Sequence, residues 1–100
     1  MDAEINQLAT VVQQQHGGIA TLSQSVPVRE SFEGKPVWEG VVHIFHLSGH
    51  PKAKTAYAWS AATDGSTKRR YYTVLGIPPV NSPRDAVRAA IIQEYRTAKK

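Results

Sequence analysis

Cysteine is absent from this chain of 100 residues. That excludes a disulfide framework, a thiolate zinc site and a cysteine nucleophile, and it fits a reducing compartment. No apolar run approaches the ~18 residues that a membrane-spanning helix needs. The longest, residues 40–47, is interrupted by His43 and His46. The start, Met1-Asp-Ala-Glu, is acidic and carries no apolar segment. No secretory signal is expected from it, and the protein is expected to be cytoplasmic, with no membrane partner.

Chemistry-bearing motifs are equally scarce. The acids are scattered, and no pair is spaced to share a cleft. There is no G-x-S-x-G elbow and no S-x-x-K. Gly17-Gly18 has neither the glycine spacing of a dinucleotide fingerprint nor the lysine of a phosphate-binding loop. Neither an enzyme nor a cofactor is expected. His43, His46 and His50 form H-x-x-H-x-x-x-H, which resembles a zinc-binding spacing. On a strand, however, residues three apart face opposite ways, and Gly49 and Pro51 forbid the helix that would unite His46 with His50. No metal site is expected.

What the chain does contain is enough apolar sequence for one modest core. Its 41% hydrophobic content lies well outside the disordered range, and its length suits a single domain over residues 1–100. The charges are sorted by half. Residues 1–48 hold two cations, Arg29 and Lys35, against five acids, for a net −3; residues 49–100 hold ten cations against three acids, for a net +7. A basic half on a small domain points towards a polyanionic partner.

Periodicity supplies the elements. Residues 2–16 place Ile5, Leu8, Ala9 and Val12 on one helical stripe, and Gly17-Gly18 provides the exit. Residues 26–32 predict a short edge strand, because Pro27 is intolerable in a central one. Residues 37–47 are β-branched and apolar on both faces, so this strand should be central. Residues 54–62 and 69–75 alternate as strands around an Asp64-Gly65 turn. Ser82 as N-cap, Pro83 at the first helical position and Asp85 at the third announce a final helix. The expected fold is α+β, a two-layer sandwich in which an antiparallel sheet of three or four strands carries both helices on one face. The row Ala56, Ala58, Ser60 is either the seat of a closely approaching helix or a bare solvent face.

On that fold His50, Lys52, Lys54, Arg84 and Arg88 are expected to share one rim and hold phosphates, helped by the open N–H groups at the last helix start. The α-β-β-β-α order resembles the double-stranded-RNA-binding domain. That family grips phosphates with a strand–strand loop and a basic start to its final helix. Here Gly49-His50-Pro51 stands where the family has Gly-Pro-x-His, and Arg84 and Arg88 stand for its lysine cluster, with Asp85 of the wrong sign and residues 17–36 as an insertion. At the opposite rim Lys68, Arg69 and Arg70 form a secondary basic group. Tyr57, Trp59 and Tyr72 are a candidate aromatic surface for stacked bases, unless they are core. Two functions are therefore expected to compete. One is an accessory nucleic-acid-binding protein acting through phosphates. The other is a non-enzymatic protein-interaction module or homodimer using a sheet face or an edge strand.

Overall fold

The structure, a computed structural model, describes residues 3–32, 34–62 and 69–98. Helix α1 (Ala3–His16) leads into strands β1 (Ile19–Phe32), β2 (Lys35–Ser48), β3 (Thr55–Ala62) and β4 (Arg69–Leu75), and helix α2 (Pro83–Ala98) closes the order. The strands form one open antiparallel sheet in the sequence order β1-β2-β3-β4. The α+β class, the element order and the central place of β2 agree with expectation.

Local chemistry explains the boundaries. At the start of α2 the Asp85 N–H donates to Ser82 Oγ at 3.1 Å, and the Asp85 carboxylate accepts the Asn81 N–H at 3.1 Å. This is a capping box whose return bond lands one residue early. Gly17 and Gly18, at φ 87° and 81°, turn the chain out of α1 in a left-handed conformation that favours glycine. Strand β1 begins there and not at residue 26. Residues 19–25 carry little hydrophobic alternation because most of their side chains are exposed; the β2 backbone holds them in the sheet.

The layering differs from expectation. Helix α1 packs Leu8 and Val12 on Phe45, Leu47, Ala56 and Ala58. Helix α2 packs Ala86 and Val87 on Val28, Val42, Tyr57 and Trp59. These residues alternate along β2 and β3, so the helices cover opposite faces and the molecule has three layers. The reason lies in β2, which is apolar on both sides and needs a cover on each. The alanine row is the seat of α1: with no side chain beyond Cβ, it lets the helix approach until Ala56 and Ala58 are fully buried.

The sheet is also forked. Strand β2 pairs with β3 only from His43↔Ala58 to His46↔Thr55, extended by the Leu47 N–H to Lys54 carbonyl bond of 2.8 Å. Among the described residues, the remainder of β2 pairs with β1 alone, and β3 beyond Ala58 pairs with β4 alone. Two hairpins are thus joined by a short seam. On the α2 side Trp38 meets Trp59 edge-on at 5.9 Å, and Trp59 stacks on Tyr72 at 5.5 Å. The indoles bridge the hairpins where the backbone does not.

Candidate functional site

The expected phosphate rim divides into two groups. His50, Lys52 and Lys54 lie in the loop between β2 and β3. His50 Nδ1 accepts the N–H groups of both Lys52 and Ala53 at 3.0 Å, so this imidazole braces the loop. Lys52 and Lys54 are exposed. Arg84 and Arg88 turn instead to Glu30 of β1, with Arg88 Nε donating to Oε1 at 2.5 Å and Arg84 Nε lying 3.5 Å from Oε2. Glu30 is buried opposite Trp38, near the hairpin end of the ladder, whereas Ile19↔Ser48 marks the end next to the 49–54 loop. The five residues therefore do not converge. Glu30 holds the Arg88 guanidinium above its ordinary pKa, first through the hydrogen bond and then through its charge. No local signal in the sequence joins Glu30 to residues of the last helix.

The aromatic surface is corrected outright for two of its three members. Tyr57 and Trp59 are 6% and 2% exposed beneath α2, because they belong to the face that this helix covers. Burial raises the Tyr57 pKa, with a smaller push from Asp85. Tyr72 is half-buried on the same face, under Trp59 and with the Arg70 guanidinium 5.7 Å from its ring. Of the secondary basic group, Lys68 lies outside the described residues, Arg69 opens β4 opposite Ala62, and Arg70 is exposed.

A shallow cleft of about 480 Å³ opens at the fork, lined by Glu4, Trp38, Glu39, Val41, His43 and Ser60. The Ser25 hydroxyl lies 2.8 Å from His43 Nδ1, and Ser60 donates to Glu4. Glu4 Oε2 is 3.9 Å from His43 Nε2, beyond hydrogen-bond reach. A serine, a histidine and an acid are thus aligned, but no hydrogen bond from the acid orients the imidazole as a nucleophilic triad requires. What the group does is tie α1 to both hairpins. Among the described residues no cluster of metal-ligating side chains occurs.

The two edges of the sheet are unlike. In an antiparallel ladder successive residues turn their N–H and C=O alternately inward and outward. The Leu47–Lys54 bond fixes the parity on β2 and, through the register, on β1: Ala20, Leu22, Ser25 and Pro27 turn outward. Three devices blunt this edge. The Ala20 N–H is taken by Gln13 Oε1 at 2.9 Å, the register shifts between Leu22 and Gln24, and Pro27 has no N–H to offer. On β4 the Gly76 N–H to Thr55 carbonyl bond of 2.8 Å sets the parity, so Tyr71 and Thr73 turn outward. That strand has no proline and no register shift, and among the described residues nothing bonds the outward backbone groups of Tyr71 and Thr73. The Thr73 side chain leaves the edge plane to meet Gln15 Oε1 at 2.5 Å and His16 Nε2 at 2.8 Å.

No family model, curated protein or solved structure matches the chain. The four-stranded order departs from the α-β-β-β-α order on which the resemblance to the double-stranded-RNA-binding domain rests.

Proposed function

We propose that this protein is a non-enzymatic protein-interaction module that takes an extended segment of a partner as a fifth strand along β4. The observation that carries the reading is the unequal treatment of the two edges. An exposed edge is a template for pairing with another chain, and proteins blunt the edges they do not use. The β1 edge carries three such devices, whereas the described part of β4 has no proline and no register shift, its outward Tyr71 and Thr73 backbone groups are unbonded among the described residues, and its charges, Arg69 and Arg70, sit together at one end. Strand addition draws its affinity from main-chain hydrogen bonds and its selectivity from alternate side chains. Tyr71, 37% exposed beside that edge, offers an aromatic contact for one of them. The competing reading through phosphates keeps the exposed Lys52 and Lys54 but loses the convergence with Arg84 and Arg88 on which it was built.

Tyr71→Pro tests this directly. It deletes one outward N–H and leaves the inward bonds of Arg70 and Tyr72, just as Pro27 does on the opposite edge. Peptides selected from a random display library on the wild-type protein should lose binding to Tyr71→Pro and keep it with Tyr71→Phe. Peptides that bind all three proteins alike would refute strand addition at β4.

A further inference from the structure

The charge distribution names the partner at that edge, on the reading of β4 as a strand acceptor: we infer that it takes an acidic extended segment of a different protein, and not a second copy of this chain. Two modes of self-association use the β4 edge. The first pairs β4 with β4 about a two-fold axis. Strand β4 belongs to the half of net charge +7, with Arg69 and Arg70 in the strand and Lys68 preceding it. A two-fold contact centred on Tyr71 sets the Arg70 residues of the two copies about 8 Å apart, within a Debye length of about 8–10 Å, where like charges repel. The second mode pairs β4 of one copy with β1 of the next, joining the basic half to the half of net charge −3. Charge favours that contact, but the backbone refuses it: Gln13 occupies the Ala20 N–H, the bulge breaks the register, and Pro27 offers no donor. One mode is opposed by electrostatics and the other by missing hydrogen bonds.

An acidic extended strand meets neither obstacle. Its backbone reaches the outward N–H and C=O of Tyr71 and Thr73, and its alternate carboxylates lie beside the face that carries Arg70.

The test uses the full chain and three fluorescein-labelled probes: a short peptide alternating Glu and Val, its Lys and Val counterpart, and an oligothymidylate. Fluorescence anisotropy should show the Glu peptide binding on the order of tenfold or more tightly than the Lys peptide, with the difference shrinking as salt rises. Tyr71→Pro should weaken the Glu peptide by a similar factor. Arg70→Glu should reverse the preference, and Arg70→Lys should keep it. Hydrogen exchange on the wild-type protein supplies a variant-free readout: the Tyr71 and Thr73 amides should gain protection when the Glu peptide is added. Equal binding of the two peptides, both lost in Tyr71→Pro, would overturn the acidic partner and leave strand addition standing. Absence of amide protection would overturn both. Tighter binding of the oligothymidylate, unchanged by Tyr71→Pro, would assign the basic half to nucleic acid. A dimer in sedimentation that Tyr71→Pro dissolves would assign the edge to a second copy.

Discussion

His16 closes α1 against the sheet with its Nε2 at 2.8 Å from Thr73 Oγ1. The Thr73 hydroxyl donates its own hydrogen to Gln15, so the imidazole N–H donates to Thr73. Burial lowers the His16 pKa below its ordinary 6.5, and the neighbouring His50 lowers it further. A base held neutral in the fold binds its proton more readily when unfolded, so stability rises with pH wherever the unfolded chain takes up more protons. The contribution of His16 is therefore complete above about pH 6.5 and is lost as pH falls below that towards the folded value. Urea melts between pH 8 and pH 5 should show a steeper acid-side loss for the wild-type protein than for His16→Asn. Parallel pH dependences would place the effect on another group. Nothing in the sequence around His16 announces this contact, because Thr73 reaches it only through the fold.

The elements were legible where their signals are local. The α2 cap is three residues of chemistry, Ser82, Pro83 and Asp85, and the structure adds the bonds they imply. Ser82→Ala should cost about 1 kcal/mol in a denaturant melt, since it strips the acceptor from the Asp85 N–H. A change below a few tenths would show that Asp85 alone caps the helix. Strand β1 was legible only in part. Its second half alternates Val26, Val28 and Glu30 inward against α2, while its first half exposes Thr21, Leu22, Ser23 and Gln24 and owes its conformation to a partner strand. The candidate site divides along the same line. The basic residues could be named from the sequence, but Glu30, which draws Arg84 and Arg88 away from the loop, is joined to them only by tertiary contact. The burial of Tyr57 and Trp59 followed from the face that α2 covers, which alternation alone leaves undetermined.

For the molecule as a whole, the sequence held the evidence for three layers in two places: a strand apolar on both faces, and a row of alanines that only a helix at close range can fill. That row is a specification of distance. Ala58→Leu forces α1 outward and should destabilise the protein by about 1–3 kcal/mol, with a matching fall in the thermal midpoint. An unchanged melt would mean that α1 has room to shift and is not seated on the row. The short seam between β2 and β3 joins the two hairpins by few backbone bonds, and each helix packs across both hairpins. The contrast between the sheet's two margins reaches furthest. On the reading of β4 as a strand acceptor this sheet is, in the vocabulary of polymer chemistry, monofunctional: one side would accept an addition and the other is a chain stopper. Growth through its margins would then end after a single step, and the assembly expected from that reading is a closed one-to-one pair and not a fibre.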